Sequence, residues 1–151
     1  RCHILKVNIN KMTTRSELEN RLKVFADNFT NNSVLTPLPI AIENKSFTRP
    51  NPPAPYLECF LAKGDTISAT VDAMRNRERG VWAVNCYVPS NAGMGLLERI
   101  VQGVMDTFRV IPKLGTVSIE SPGNTSKMII DAAGWACIPI TFPYRVETQL
   151  T

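Results

Sequence analysis

Histidines, paired carboxylates and glycine-rich loops do much of the chemistry in proteins, and this chain offers few of them in a usable arrangement. The one histidine is His3, so a Ser-His-Asp triad, a Cys-His dyad and a histidine-rich metal site all lack material. The sequence contains no GxxxxGK[ST] or GxGxxG phosphate loop, and Gly93-Met94-Gly95 is typical of a flexible helix entry. The sequence therefore predicts no cofactor and no metal site.

The four cysteines form no metal or redox motif. Cys2, Cys59, Cys86 and Cys137 are separated by 57, 27 and 51 residues, which fits no zinc-binding pattern, and none belongs to a CxxC pair. Three of them fall within apolar runs that resemble strands, where cysteine usually acts as a small hydrophobic side chain. We therefore expect reduced cysteines in the core, as in a cytoplasmic protein.

Carboxylates are the remaining source of acid–base chemistry, because acids that meet in a fold need not be close in sequence. A small carboxylate-dependent enzyme is therefore one hypothesis, and it requires two or more acids to converge in a pocket with perturbed titration. We interpret each acid instead as a solvated surface residue or a turn former. The acids concerned are Glu43, Glu58, Asp65, Asp72, Glu78, Glu98, Asp106, Glu120 and Asp131.

The densest charge feature is the segment Arg75-Asn76-Arg77-Glu78-Arg79. It is predicted to lie in the polar turn of a β-hairpin. Three interpretations are open for Arg75, Arg77 and Arg79. They contact phosphate, they keep a turn solvated and block edge pairing, or they pair with acids of a neighbouring subunit.

A proline-rich segment, Asn44 to Pro55, is the second feature that stands out. Proline at this density excludes a helix or a central strand and favours a stiff, extended chain. Such a segment is either a plain surface connection or an arm that binds a partner at a low ordering cost. The candidate partner-binding residues are Phe47, Arg49, Pro50, Pro52 and Pro53.

Two amphipathic helices are predicted from apolar residues at helical spacing. The first runs from about Thr14 to Thr30 and opens with a capping box formed by Thr14 and Glu17. The second follows Pro89 and ends near Ile111-Pro112.

Alternating apolar and polar residues predict several strands. Lys63-Gly64-Asp65 is expected to turn the chain, and strands over 67–73 and 82–88 then pair across a turn at 75–80. Pro139 predicts an edge strand or a bulge. Short links favour an α+β fold, with an antiparallel (mixed) β-sheet and two amphipathic helices packed on one face.

The net charge of +4 is concentrated at the start of the chain. Removing Arg1, Lys6 and Lys11 from the 17 basic residues leaves 14 against 13 acidic residues, a balance of +1. A DNA-binding domain with a strong basic face is therefore not expected, and no apolar run reaches the length of a membrane span. Residues 1–11 are predicted to be a non-native or flexible leader, or else an N-terminal strand, and residues 12–151 to form one domain.

Two motifs that join a strand to prolines carry a resemblance to a known family. One runs from Ile42-Glu43-Asn44-Lys45-Ser46-Phe47-Thr48-Arg49-Pro50 to Pro53-Ala54-Pro55-Tyr56-Leu57. The other is Trp82-Ala83-Val84-Asn85-Cys86-Tyr87-Val88-Pro89. Together with the order of helices and strands over about residues 12–147, they resemble the lambda-type tail-terminator proteins of long-tailed bacteriophages.

The resemblance implies a non-enzymatic structural virion protein in the neck region of the tail, assembled in the host cytoplasm. Such proteins form a ring, usually a hexamer, that caps the head-proximal end of the tail tube, ends its polymerisation and joins it to the head connector. The implied partners are further copies of the chain, the tail-tube protein and the head–tail connector protein. DNA passes through the lumen without sequence-specific binding, and no membrane is involved.

In that setting Arg75, Arg77 and Arg79 are candidate contacts to a neighbouring subunit or to the lumen. Another head–tail connector or a tail-tube subunit is the nearest alternative, and it would need a long loop or arm for the stacking of rings.

Overall fold

The computed structural model describes residues 13–68, 75–109, 113–114 and 117–149. In this part of the chain two helices pack on one face of an eight-stranded mixed sheet, which confirms the predicted α+β class. The predicted leader at residues 1–11 lies outside the described residues.

Helix α1 spans Thr14–Asp27. Its N-cap is Thr13 rather than the predicted Thr14, and the Thr13 Oγ1 accepts a hydrogen bond from the backbone N–H of Ser16 at 3.1 Å. The helix ends before the predicted Thr30 because the backbone N–H of Asn28 bonds instead to the carbonyl of Phe25, at 3.2 Å. Of the apolar residues predicted to form one stripe, Leu18, Leu22 and Ala26 are buried within the helix, Phe29 is buried just after it, and Phe25 is partly buried.

A small hairpin follows α1 and is separate from the main sheet. It consists of β1 (Thr30–Asn31) and β2 (Val34–Leu35). Its turn residues Asn32 and Ser33 have φ angles of 52° and 67°. Positive φ at both central positions is the requirement of the tight turn that matches the twist of paired strands.

Helix α2 spans Met94–Arg109, close to the predicted bounds. Gly103 lies on the side that faces α1, where a Cβ atom would overlap the ring of Phe25. The missing side chain therefore lets the two helices approach each other closely. The buried stripe of α2 consists of Leu97, Ile100, Val101, Val104 and Phe108.

The main sheet is built on three long strands, each of which is hydrogen-bonded to the next. They are β4 (Tyr56–Ser68), β5 (Arg75–Pro89) and β10 (Trp135–Gln149). The short strands are β3 (Ile40–Ile42), β6 (Lys113–Leu114), β7 (Val117–Ile119), β8 (Asn124–Thr125) and β9 (Ile129–Ile130). The strand order is β3-β4-β5-β10-β7-β6, and β8 and β9 also pair with β10. All pairs are antiparallel except β3 with β4.

Side chains of the long strands alternate between an inner face, which packs against the helices, and an outer face. On the inner face the ring of Phe108 from α2 lies between Trp82 and Phe142, with centroid distances of 6.1 and 5.1 Å. Burial of this apolar layer is the main stabilising contribution to the fold. The inner-face core includes Leu57, Cys59, Leu61, Trp82, Val84, Cys86, Val88, Ala136, Ile140, Phe142 and Tyr144.

The predicted turn at 75–80 is wrong, because these residues form the first part of β5 and pair in continuous register with β10. The predicted turn at 63–65 is wrong as well, since β4 continues through it with a register shift between Lys63 and Thr66. Both turn predictions depended on a glycine, Gly64 in one segment and Gly80 in the other. A Cβ on Gly64 would overlap the carbonyl oxygen of Arg79, and one on Gly80 would overlap that of Ala62. Glycine here permits close strand contact rather than a turn. Residues 69–73 of the predicted strand lie outside the described residues.

The predicted edge position of Pro139 is also wrong, because β10 has neighbours on both sides. Proline is tolerated because the ladder on its far side is interrupted there. β9 pairs with Ala136 and Cys137, and β8 pairs with Ile140 and Thr141, which leaves no strand residue opposite Pro139 on that side. Its carbonyl accepts from the N–H of Ser126 at 3.0 Å, so the missing N–H lies at a gap where a strand partner is lacking.

Candidate functional site

The proline-rich segment of residues 44–55, here called the arm, folds back across the outer face of the sheet. β3 and β4 are parallel neighbours, so the chain between them must return along the length of the strands. On this path the ring of Phe47 packs against that of Tyr56, with centroids 5.1 Å apart. The predicted arm residues divide into the partly buried Phe47, Arg49 and Pro50 and the exposed Pro52 and Pro53.

Arg49 fixes the arm to the sheet. Its Nε donates to the Tyr56 hydroxyl at 2.9 Å, and its Nη2 donates to Asp131 Oδ2 at 2.8 Å. The guanidinium carbon also lies 6.0, 5.9 and 5.3 Å from the ring centroids of Tyr56, Tyr87 and Trp135. These distances are within the range of cation–π attraction. A planar guanidinium serves this site because it binds a carboxylate and lies against rings at the same time.

The aromatic cluster beneath Arg49 is itself tightly packed. Tyr56 stacks on Tyr87 with centroids 4.6 Å apart and an interplanar angle of 5°, and it meets Trp135 edge to face at 5.1 Å. Burial raises the pKa of Tyr56, and the hydrogen bond from Arg49 only partly offsets this effect. Tyr56 therefore remains a neutral hydroxyl that accepts from Arg49 over the whole physiological range.

Asp131 is held ionised in the turn between β9 and β10. Its Oδ1 accepts from the backbone N–H groups of Ala133 at 2.9 Å and Trp135 at 3.0 Å. The hydrogen bond from the N–H of Trp135 is the largest cause that lowers the pKa of Asp131 below its usual 3.8, and the bond from Arg49 lowers it further. The carboxylate thus organises its own turn with one oxygen and anchors the arm with the other.

Glu43 joins α1 to the edge of the sheet just beyond the end of β3. Its Oε1 accepts from the backbone N–H of Leu61 in β4 at 2.7 Å and from Arg15 Nη1 of α1 at 2.9 Å. The hydrogen bond from the Leu61 N–H is the largest cause that lowers the pKa of Glu43 below its usual 4.5, and the bond from Arg15 is the second. The side chain therefore satisfies a strand N–H that β3 is too short to reach.

A cleft of about 330 Å³ opens between the arm and the outer face, and Glu43 and Glu58 both line it. Glu58 Oε1 accepts from Asn85 Nδ2 at 3.0 Å and from the hydroxyl of Tyr87 at 3.1 Å. A general acid needs a raised carboxyl pKa, but the described carboxyl groups with clearly shifted pKa values are all lowered. These groups are Glu43, Asp131 and Glu147. The cleft thus gives no support to the carboxylate-enzyme hypothesis.

The predicted arginine contacts lie in a row on the outer face of β5. Arg77 donates through Nε and Nη2 to Glu147 Oε1 at 3.1 and 2.8 Å, and Arg75 lies 4.0 Å from the same carboxylate. Arg79 lies 3.4 Å from Glu120. The hydrogen bond from Arg77 is the largest cause of a lowered pKa at Glu147. Acids of the same chain therefore partner all three arginines.

The structure keeps the two predicted sets of contact residues apart. The arm covers the end of the outer face where β4 begins, and the arginine row lies where β5 begins, at the opposite end of the sheet. From the sequence alone, Glu43 and Asp131 are both interpreted as solvated surface residues or turn formers, with no role in a site. A polar residue directly after an apolar strand was the available signal for both.

Among the described residues there is no group of three metal-ligating side chains. Within the same ranges, no helix has the length and apolar composition needed to cross a membrane.

A family model described as phage tail terminator protein matches residues 15–144. A solved structure aligns with 93% of this chain and 100% of its own, with a TM-score of 0.71 and 24% sequence identity, which shows a shared fold. No curated protein matches the chain in sequence. The matched residues include α1 from its second residue onward, all of α2, the arm and the arginine row.

Proposed function

Because the chain belongs to the phage tail terminator protein family, we propose that it forms a ring on the head-proximal end of a tail tube. There it ends tube polymerisation and joins the tail to the head connector. Family membership makes the protein a structural component of the virion tail. The ring, its place in the neck, its assembly in the host cytoplasm and its partners are the proposed part.

The observation that carries the proposal is the extent of the family match. Residues 15–144 contain α1 from its second residue onward, all of α2 and most of the sheet, so the shared features are those of the whole fold and not of one motif. The arm adds support. A surface that caps a tube has to keep one shape, and Arg49 holds the arm in place through Tyr56 and Asp131. Preorganisation of this kind lowers the ordering cost of binding.

The charge distribution suits a conduit for DNA. Glu147 and Glu120 partner the arginine row, and the chain after Lys11 carries a balance of only +1. Strong phosphate binding needs unneutralised Lys and Arg side chains. A ring of such subunits would let DNA slide through the lumen without sequence-specific contacts.

A connector or tube subunit remains the alternative to a terminator. Such a subunit would need a long free arm for the stacking of rings. The arm is the candidate for such a segment, and Arg49 fixes it to its own sheet. This favours the terminator role over that of a connector or tube subunit.

The direct test is an assay of tube length. Purified tail-tube protein of the same phage is polymerised with and without this chain, and the tubes are measured by electron microscopy. The proposal expects shorter tubes with a ring of about six subunits at one end and no growth from capped ends. Tubes of unchanged length, with no density added at either end, would contradict it. Binding along the tube wall would favour the alternative.

A further inference from the structure

A surface groove of about 580 Å³ lies between α1 and α2, on the solvent side of the two helices. The helices run antiparallel. Gly103 meets Phe25, whereas Arg99, one turn earlier in α2, donates through Nη2 to Asn31 Oδ1 at 2.8 Å, beyond the end of α1. The lining residues of α1 extend from Arg21 to Asn28, so the groove follows about two turns of helix, or roughly 11 Å.

The floor of the groove is apolar. The rings of Phe25 and Phe29 meet edge to face with centroids 5.9 Å apart, and Gly103 beside them adds no side chain. Val24 on the α1 wall is 55% exposed. A concave apolar surface that is open to water marks a site of interaction, so apolar side chains of an occupant would be stabilised by entering it.

Two arginines determine the charge of the groove. Arg21 lies toward one end, and Arg99 lies at the other end beside Asn31. Within the described residues Arg21 forms no ion pair and no hydrogen bond, and its Nε is shielded from solvent. Asp106, the one acid among the described lining residues, accepts from Gln102 Nε2 at 2.8 Å and lies beyond ion-pair distance of both arginines. Both ends of the groove therefore carry a positive charge that an incoming carboxylate would balance.

The walls of the groove do not offer pairing to an extended strand, because helical N–H and C=O groups bond within their own helix. An occupant therefore has to satisfy its own backbone, as an amphipathic helix does. On such a helix, residues seven positions apart lie on one face and about 10 Å apart, which matches the separation of the two ends of the groove. Carboxylates at these positions would meet Arg21 and Arg99, and apolar residues between them would lie on Phe25.

A second copy of this chain does not supply such a helix within its described residues. The acids of α1 are Glu17, Glu19 and Asp27, and those of α2 are Glu98 and Asp106. No two acids of one helix are seven residues apart, so neither helix presents the required pair of carboxylates. The occupant that fits is therefore a helix of a different protein.

We infer that the groove between α1 and α2 binds an amphipathic helix of another protein, with one carboxylate on Arg21, another on Arg99, and apolar side chains on Phe25. The contact goes beyond the proposed ring, since it joins the chain to a different partner and not to its own copies. It is also separate from the arm, because the helices pack on the inner face of the sheet and the arm crosses the outer face.

A designed helical peptide tests the groove directly. The peptide has blocked ends, about 18 residues, Glu at two positions seven apart, and Leu at the third and fourth positions after the first Glu. It is titrated into the full chain by isothermal calorimetry. The inference expects a dissociation constant of about 100 μM or lower, with amide shifts in nuclear magnetic resonance spectra centred on Phe25 and Gly103. Weaker binding, or shifts centred elsewhere, would overturn it.

Charge reversal tests the two arginines. Arg21→Glu and Arg99→Glu should each weaken peptide binding at least about fivefold, because like charges then meet. A peptide with Arg in place of one Glu should restore binding to the Arg21→Glu chain to within about twofold. Only one of the two such peptides should do so, because the helix lies in the groove in one direction. Loss of binding that neither peptide restores would contradict the assigned contacts.

A matched chain variant and a matched peptide serve as controls. Arg145→Glu alters an arginine that lies opposite Arg79 on the outer face and forms no ion pair within the described ranges. This variant should bind the peptide as the unchanged chain does. A peptide with Gln in place of both Leu should bind at least about tenfold more weakly. Circular dichroism checks that every variant is folded. An equal effect of Arg145→Glu would mean that net charge attracts the peptide, and the inference would be wrong.

Failure of this inference is distinguishable from failure of the proposed function. The tube-length assay with the unchanged chain tests capping, and peptide binding tests the groove without tail tubes. Sedimentation velocity of the chain alone tests the remaining occupant. Self-association that Arg21→Glu abolishes and Arg145→Glu does not would place a second copy in the groove and overturn the assignment to another protein.

Discussion

Arg49 and Asp131 are 82 residues apart in the sequence and form an ion pair of 2.8 Å that closes the arm over three aromatic rings. The pair ties the connection between β3 and β4 to the turn between β9 and β10. Arg49 therefore adds a link between two loops on the outer face to the hydrogen-bonded strands β4, β5 and β10 beneath them.

Replacing Arg49 should release the arm. In Arg49→Ala the bonds to Tyr56 and Asp131 are both lost, so amide hydrogen exchange in residues 44–55 should accelerate about tenfold or more, with little change in the helices. Arg49→Lys should give an intermediate effect because an ammonium cannot make the same paired, planar contact. Lys45→Ala, at an exposed site in the same arm, is the matched control. Equal protection in all three variants would show that Arg49 does not fix the arm.

Gly80 should resist substitution more strongly than Gly95. A Cβ at Gly80 would overlap the Ala62 carbonyl and the Tyr144 ring, so Gly80→Ala should lower the free energy of unfolding by about 1–3 kcal/mol. Gly95 in α2 has only Arg99 nearby, at 3.5 Å, so Gly95→Ala should stabilise the chain by up to about 1 kcal/mol. Urea denaturation measures both values. A neutral Gly80→Ala variant would mean that β4 and β5 are not packed this closely.

Leu22 and Val24 lie in the same helix but should differ sharply in their contribution to stability. Leu22 is fully buried, whereas Val24 is 55% exposed. Leu22→Ala should cost about 2–5 kcal/mol through lost burial and the cavity left behind, and Val24→Ala should change stability by less than about 0.5 kcal/mol. Thermal and urea unfolding provide the comparison. Similar costs at the two sites would contradict the orientation of α1 in which Leu22 faces the core and Val24 faces solvent.

Glu43 should make stability depend on pH under acid conditions. Its pKa in the folded chain is lowered from 4.5, first by the Leu61 N–H and then by Arg15. A group with a lowered folded pKa adds stability that is present above its unfolded pKa and is lost as the pH falls through the folded value. Stability should therefore fall below about pH 5, and Glu43→Gln should flatten this part of the profile. Urea unfolding at several pH values measures the slopes, and identical slopes would remove Glu43 from this role.

The buried cysteines should resist thiol reagents in the folded chain. Burial raises the pKa of Cys59 to about 12 and that of Cys137 to about 11, and it raises the pKa of Cys86 further. Only the thiolate reacts readily, so at about pH 8 these three cysteines should label slowly until denaturant is added. Mass spectrometry after labelling identifies each site. Fast labelling of Cys59 or Cys137 without denaturant would show that the core opens there.

Local patterns in the sequence determined the two helices and the alternating second half of β5. Leu18, Leu22 and Ala26 repeat at helical spacing, and Val84, Cys86 and Val88 alternate, because burial on one side imposes the period of each element. The free, buried Cys59, Cys86 and Cys137 were predicted in the same way and are confirmed. Each of these features depends on residues that are close together in the chain.

The tertiary structure alone decided the conformation and the contacts of the charged and proline-containing segments. Arg75 to Gly80 has the composition of a turn but forms a strand, because β10 supplies both the backbone ladder and Glu147. Pro139 lies inside the sheet because the neighbouring strands leave a gap at its missing N–H. The pairing of Arg49 with Asp131 depends on two segments that meet only in the folded chain. A local pattern reports the burial of an element but not its partner, because partners are selected by contacts between distant residues.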